Sequence, residues 1–384
     1  MSGAAETHPA KSARAGGGAA LKVLTVGGAM IDTIAIIASS AIERMVLLNA
    51  EASFLLLEEG RKTEALEVSM HCGGGAINTA VAFARLGLDC AVIAKLGQDR
   101  RAEQILAALE GEGISPRWVS RVSSAPTGSS VLVSSHDRNA AVFTFRGANT
   151  LLTPQDLADS AFDVDLVYIA NLSNEAVDCF PVLIEKAKRA AAKVAANPGI
   201  RQLHGRGGAF RAALPQLDIL ALNRREADEV VPLIDRGHPN GDAPLDFTGG
   251  VAAPALAERG FKYESLRMSV RSFCCALLAG GVGTVVLTDG RGGAFAATGN
   301  RLFYCPAHEA EVAGTAGAGD AFVATFAAYL AGGAGPDTAL RAASVNAASV
   351  LGTVDTQTGL LKRTDLEARL GGNGSTPNVI GWTL

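Results

Sequence analysis

The chain has 384 residues, 48% of them hydrophobic and 19% charged. That is enough apolar content for a large buried core and argues against global disorder. A formal net charge of −4 argues against nucleic acid as the main partner, because phosphate-backbone binding wants a basic face. No apolar run reaches the roughly 18 residues of a membrane span, so no membrane partner is expected. Residues 1–20, "MSGAAETHPAKSARAGGGAA", lack the apolar stretch of a signal peptide and read as a tail. The six cysteines show neither Cys-x-x-Cys nor zinc-ligand spacing. They read as reduced thiols of a cytoplasmic protein. Cys72, beside a glycine run, is expected to be a small packing residue rather than a reactive thiol.

In chain order, "LKVLTVGGAMID" predicts a buried strand over Val23–Val26 and a tight turn at Gly27-Gly28, with Thr33–Ile37 a further strand. Ser39–Met70 is mixed and is expected to carry a short helix. "GGGAINTAVAFARLGLDCAVIAKLGQD" predicts a helix with Ile77, Ala80, Val81 and Ala84 at helical spacing, stopped near Gly87. A strand follows at Cys90–Leu96 and a helix at Arg101–Glu110. Two β-rich runs around the polar "SHDRN", Val131–Ser134 and Val142–Phe145, read as a hairpin.

From Asp165 onward strands and helices alternate. Strands are expected at Asp165–Ala170, Lys193–Ala196, Leu217–Leu222 and Thr284–Thr288. Helices are expected at Ala176–Ala192, Leu266–Leu278, Ala321–Leu330 and Thr338–Leu351. Residues 235–259 read as a surface insertion, and 371–384 as a C-terminal tail. This rhythm predicts an α/β fold with a mostly parallel sheet covered on both faces.

"GTAGAGDAF", Gly314–Phe322, places small residues and Asp320 where a turn runs into an apolar helix. Unpaired N–H groups at such a helix start make an anion site, and small residues let a phosphate approach. Asp320 would stand beside that phosphate as a base, or would simply favour the helix dipole. Neither G-x-x-x-x-G-K-[ST] nor a post-strand G-x-G-x-x-G is present, so neither a P-loop nor a dinucleotide site is expected.

Taken together, "GGGAINTAVAFARLG", "GTAGAGDAF", "LNRREA", "VLTDGRGG", "VGGAMID" and "LGQD" resemble, in order over about 22–364, the motifs of the ribokinase-like (phosphofructokinase-B type) carbohydrate kinases. The resemblance implies a three-layer α/β/α sandwich over 21–370, with a small β-sheet lid from about 33–71 and 117–146. It implies ATP and Mg²⁺ as cofactors, and a sugar or nucleoside as substrate. Asp320 then corresponds to the catalytic base, and Gly317, Ala318 and Gly319 to the anion hole. Asp32, Gly74, Gly75 and Asn78 correspond to the sugar contacts. Asn223, Thr288, Gly290 and Asn346 correspond to the nucleotide side, and Glu226 to the Mg²⁺ ligand. Taken singly, each has a plainer role: Asp32 as a turn cap, Asn78 as a helix cap, Glu226 as a surface carboxylate.

Several departures mark this chain. Gly314, Thr315 and Ala316 stand where many relatives carry Asp-Thr-Thr, whose Asp helps hold a monovalent cation. Gly75 replaces the Lys of the ribokinases' Gly-Gly-Lys-Gly, and Ala102 replaces a Gly expected soon after Asp99. A low aromatic content of 5% favours a plain sugar over a nucleoside, whose base would stack on aromatics. A non-catalytic sensor is opposed by retention of Asp320, Asn223 and Glu226, and a pyridoxal-type kinase by the hairpin. If the lid's outer face is apolar, the lid is expected to pair with a second copy as a homodimer.

Overall fold

The computed structural model describes residues 20–41, 43–46, 53–56, 59–60, 62–134, 141–234, 244–247, 251–372 and 376–384. The chain enters through β1 (Lys22–Val26), buried from Val23 onward, and turns at Gly27-Gly28 into β2 (Met30–Ile37). A 3-10 turn at Ser39–Ala41 leads to β3 (Glu43–Val46), β4 (Ser53–Leu56) and β5 (Ala65–Gly73). Then come α1 (Gly75–Arg85), β6 (Asp89–Gly97), α2 (Arg100–Gly111), β7 (Ser115–Val122), β8 (Gly128–Ser134) and β9 (Ala141–Phe145). The alternation expected from Asp165 follows as β10 (Leu166–Ile169), α3 (Phe180–Arg189), β11 (Lys193–Ala196), α4 (Ile200–Ala213), β12 (Ile219–Asn223) and α5 (Arg224–Val230). The C-terminal third holds α6 (Ala255–Arg259), β13 (Phe261–Tyr263), β14 (Leu266–Met268), α7 (Val270–Ala279), β15 (Thr284–Thr288), β16 (Ala294–Thr298) and β17 (Arg301–Cys305). It closes with α8 (Ala318–Ala331), α9 (Pro336–Leu351), α10 (Arg363–Gly371) and β18 (Ile380–Thr383).

The main sheet runs β18-β17-β16-β15-β12-β11-β10-β1-β6-β7. From β7 to β15 neighbours pair in parallel, and β16, β17 and β18 add an antiparallel edge. Successive residues of one strand face opposite layers. Val23 therefore packs with Ile77, Val81 and Phe326 of α1 and α8, while Leu24 packs with Leu183 and Phe210 of α3 and α4. Two apolar layers on one sheet give the α/β/α sandwich. The parallel strands end at one edge, where ligands of such sheets bind.

The lid is a separate sheet of order β5-β2-β8-β9. Its β8–β9 pairing is antiparallel, with Val131 opposite Phe143 and Ser129 opposite Phe145, outside the main sheet as the β-rich runs predict. The tip "SHDRN" lies outside the described residues. On the inner face Ile34, Ile36 and Leu132 are buried against Ala316 and Val354 of the main domain. The outer face carries Leu66, Val68, Met70, Val131, Phe143 and Phe145, with Val68 62% and Phe143 59% exposed.

Four expectations are corrected. Within Ser39–Met70 the described residues hold only a 3-10 turn at Ser39–Ala41 in place of the expected short helix and are otherwise mainly β-structured, as the expected lid requires: Leu66, Val68 and Met70 alternate with period two, a strand pattern. Arg117–Val122 belongs to β7 in the main sheet, not to the lid, because it pairs in parallel with β6. Leu266–Met268 is a strand paired with Phe261–Tyr263, and the helix starts only after Ser269, whose hydroxyl accepts from the Ser272 N–H. Within 371–384, β18 pairs with β17, and the Trp382 indole N–H donates to the Asp246 carbonyl at 2.8 Å. Of the expected insertion, 235–243 and 248–250 lie outside the described residues, as do residues 1–19 of the tail. Among the described residues no helix is long and apolar enough to cross a membrane.

Candidate active site

Two glycine turns meet at the C-terminal edge of the sheet. Gly74 caps α1 with φ 95°, and a Cβ there would lie 2.5 Å from the Gly28 carbonyl oxygen. Only glycine tolerates both the conformation and the approach. Gly317 caps α8 with φ 81°, and a Cβ there would lie 2.7 Å from the Thr356 Cβ. These turns bring the first turns of α1 and α8 face to face.

Asn78 and Asp320 join across that meeting. Asn78 Nδ2 donates to Asp320 Oδ2 at 2.8 Å. Its amide orientation is set from behind, because Oδ1 accepts from Thr356 Oγ1 at 2.9 Å and from Gln357 Nε2 at 3.2 Å. The 355–358 turn is itself held by Asp355, whose Oδ1 accepts from the Gln357 and Thr358 N–H groups. Asn78 therefore orients Asp320 instead of capping its own helix. Thr356 and Gln357 went unnoticed in the sequence; the only cue was a polar "DTQT" run just after an apolar helix.

Asp320 is the third residue of α8. The first helical bond runs from the Ala321 N–H to the Gly317 carbonyl, so the amides of Ala318 and Gly319 have no helical partner. Burial pushes the Asp320 pKa up to about 6, the Asn78 donor pulls it down, and the Asp32 charge raises it. Loss of water outweighs the Asn78 hydrogen bond. A carboxylate near 6 remains mostly ionised at pH 7 and is a stronger base than an ordinary aspartate.

The acceptor side surrounds Asp320. A Cβ at Gly75 would lie 3.9 Å from Asp320 Oδ1, and at Gly73 only 2.0 Å from Asp32 Oδ2. Asp32 sits on the buried inner face of the lid, opposite His71 on β5, and accepts from the Ser130 hydroxyl. Burial raises its pKa, with Ser130 and His71 opposing. Asp99 of "LGQD" is taken up structurally: it caps α2 through the Ala102 N–H and accepts from the Thr127 N–H at 2.8 Å, tying α2 to the start of β8.

On the other flank, Asn223 and Glu226 form a reciprocal cap at the start of α5. The Glu226 N–H donates to Asn223 Oδ1 at 3.0 Å, and the Asn223 N–H donates to Glu226 Oε2 at 2.9 Å. Asn197 Nδ2 reaches Glu226 Oε2 at 3.4 Å. Burial pushes the Glu226 pKa up to about 7; the Asn223 and Asn197 donors oppose this and the Asp320 charge adds to it. Among the described residues no group of three or more metal-ligating side chains occurs. A magnesium ion fits this donor set all the same, since it takes one or two carboxylates and keeps several waters. A dication here would relieve the two mutually repelling carboxylates Glu226 and Asp320.

Thr288 lies beside Asn223 at the sheet edge, and Gly290, at φ 53°, opens onto unobstructed space. Thr288 ends β15 and Gly290 begins the 3-10 turn that follows it, at the carboxyl end of the parallel strands. Asn346 does not join them. It is fully buried in α9, where Nδ2 donates to Thr325 Oγ1 and Oδ1 accepts from the Leu361 N–H. Its amide serves the packing of α8, α9 and the following loop. Cys72 is partly buried, and burial and the Asp32 charge push its thiol pKa up, which fits a packing residue.

The sequence pattern of the pfkB family carbohydrate kinases matches residues 33–236 and 270–363. A deoxyribokinase of Salmonella typhi is 26% identical over 316 residues, 82% of this chain and 91% of its own. The structure of Arabidopsis thaliana ribokinase complexed with ribose and ATP superposes with a TM-score of 0.67 at 20% identity, covering 92% of this chain and all of that one. The Burkholderia thailandensis nucleoside kinase in complex with inosine superposes with a TM-score of 0.67 at 20% identity, covering 90% of this chain and 97% of its own.

Proposed function

Because the chain belongs to the pfkB family of carbohydrate kinases, we propose that it transfers the γ-phosphate of ATP to a hydroxyl of a sugar-like substrate, with Asp320 as general base. The observation that carries this reading is the Asn78–Asp320 contact: a carboxylate with a raised pKa, oriented by a fixed amide, beside unpaired helix-start amides.

Phosphoryl transfer depends on alignment and charge neutralisation more than on covalent help. The acceptor lies over Gly74-Gly75, with hydroxyls held by Asp32 and Asn78, whose carboxylate and amide both suit vicinal hydroxyls. Asp320 takes the proton of the attacking hydroxyl. The N–H groups of the Gly317–Gly319 turn donate to the phosphoryl oxygens and stabilise the charge developing there. Thr288 and Gly290 line the nucleotide side. Mg²⁺, when bound, supplies neutralisation of the phosphate charge; Glu226, with Asn223 and Asn197, would hold it through its waters. The lid, closing with Ile34 and Ile36 over the site, excludes water as a competing acceptor.

A nucleoside is the second reading, on the strength of the inosine-binding neighbour. Of the acceptor-side residues named above only His71 carries a ring, and no Phe, Tyr or Trp stands among them for a base to stack on. We further propose a cytoplasmic homodimer formed through the lids, driven by the exposed apolar outer face. A coupled ATP-consumption screen over sugars and nucleosides tests the reading. Turnover of a sugar that Asp320→Asn abolishes supports it, and no turnover with any acceptor hydroxyl would overturn it.

A further inference from the structure

Two segments outside the residues matched by the family pattern meet close to the turn that carries Gly290. One is 244–247, within the expected insertion, and the other is the end of the chain, with β18. The Trp382 indole N–H donates to the Asp246 carbonyl at 2.8 Å, and its ring meets that of Phe247 edge-on at 5.1 Å. Phe247 in turn meets Tyr304 of β17 edge-on at 5.5 Å. Tyr304 is buried, and Phe295, its partner on β16, packs on the same ring at 4.8 Å. The Tyr304 hydroxyl then donates to the Gly292 carbonyl at 3.1 Å. β18 is fastened separately. Arg271 Nη1 donates to the Thr383 carbonyl at 2.6 Å, and the Leu384 N–H donates to the Asn300 carbonyl at 2.8 Å.

The Gly290–Gly292 turn needs such a hold. Gly290 and Gly293 have φ of 53° and 78°, and glycines lose the most conformational freedom when a turn is ordered. The bonds that close the turn are local: the Gly292 N–H donates to the Asp289 carbonyl at 2.8 Å and the Gly293 N–H to the Gly290 carbonyl at 3.1 Å. Tyr304 reaches the turn from β17. A Cβ at Gly293 would lie 2.4 Å from the Cys305 carbonyl oxygen and 3.1 Å from Tyr304 Cε2, so the turn rests directly on that strand. A tyrosine suits this place, with a ring that packs among apolar neighbours and a polar tip that donates. Burial pushes its hydroxyl pKa up to about 12, which keeps it a donor at neutral pH.

We propose, resting on the kinase reading above and its nucleotide side, that Tyr304 is a positioning residue for ATP. The rings of Trp382, Phe247 and Tyr304 form a strap that fixes the Gly290–Gly292 turn in the shape that receives the nucleotide. A turn ordered in advance costs less to bind. The strap touches neither the acceptor side nor Asp320, so its effect falls on ATP affinity and leaves acceptor affinity alone.

The test uses the full chain, Tyr304→Phe and Phe247→Ala. Tyr304→Phe removes only the hydroxyl, and Phe247→Ala removes the link from Tyr304 to Trp382. Calorimetry reads ATP binding, steady-state kinetics read the ATP KM and the acceptor KM, and amide hydrogen exchange reads the turn at 289–293. The expected result for Tyr304→Phe is ATP binding weakened and the ATP KM raised about 3–10-fold, as expected for one lost hydrogen bond. The acceptor KM stays at its native value, and exchange in the turn speeds up. Phe247→Ala shows the same split, and should it fail to fold, Tyr304→Phe decides alone. Native ATP affinity in either folded variant would overturn the inference. So would a loss shared equally by ATP and acceptor, the mark of a general loosening of the fold. A native chain that binds no nucleotide would overturn the kinase reading and this inference together, whereas ATP bound equally by the native chain and Tyr304→Phe would overturn the inference alone.

Discussion

Asn78 Nδ2 and Asp320 Oδ2 stand 2.8 Å apart, although 242 residues separate them in the chain. The contact exists because Thr356 and Gln357 occupy the other end of the Asn78 amide. The amide can then offer Asp320 only its N–H₂. Removing this donor by Asn78→Ala raises the pKa of Asp320, because the hydrogen bond favours the charged form. The acid limb of the kcat–pH profile should therefore move to higher pH, with a fall in kcat of about 10-fold or more at pH 7. A limb that stays in place would show that Asn78 does not tune the base.

The two raised carboxylates also predict how stability responds to pH. Asp320 rises from 3.8 to about 6 and Glu226 from 4.5 to about 7 on folding. The folded state therefore binds protons more tightly than the unfolded one. Stability is highest below the unfolded pKa values and falls as pH rises through about 4 to 7. Asp320→Asn and Glu226→Gln remove that penalty. Each variant should be more stable than the native chain by about 3 kcal/mol at pH 8, and the advantage should vanish near pH 4. Denaturant unfolding at both values checks it, and an equal gain at both would contradict the buried-charge account.

Glu226→Gln preserves the capping geometry, since Gln also serves at that helix position, but removes the charge. The Mg²⁺ concentration for half-maximal rate should rise several-fold at saturating acceptor, with the acceptor KM changed less. An unchanged magnesium requirement would reduce Glu226 to a cap for α5.

On the lid, Met70, Thr33, Val131 and Phe143 lie in one row across the sheet, and Met70 and Phe143 are 57% and 59% exposed. Burying such side chains contributes about 1.5–3 kcal/mol each before the cost of association. Light scattering at micromolar concentration should give a dimer for the native chain and a monomer for Phe143→Asp. A native monomer would contradict the proposed pairing.

Much of this was legible in the sequence where one local pattern decides. The glycine turns at Gly74 and Gly317 and the strand–helix rhythm are local signals, and so is the Asn223/Glu226 spacing. The β8–β9 hairpin showed in its two β-rich runs. What was not legible depends on packing partners far along the chain. Arg117–Val122 resembles lid sequence until β6 takes it into the main sheet. Asn346 resembles a ligand-facing amide until α8 and Leu361 are seen to use both its ends. Leu66, Val68 and Met70 show the strand period, but polar neighbours masked it in a stretch without a clear turn signal. The raised pKa of Asp320 is set by burial, which spacing alone does not report.

The central claim is that Asp320 accepts the proton of the acceptor hydroxyl, and Asp320→Asn tests it most directly. The amide keeps the size and the Asn78 side of the contact but cannot take a proton. The variant should fold, bind ATP by calorimetry with near-native affinity, and lose about 10²–10⁴-fold in kcat on an acceptor the native chain phosphorylates. Near-native turnover by a folded, ATP-binding Asp320→Asn would contradict the account and leave the residue as the N-terminal carboxylate of α8.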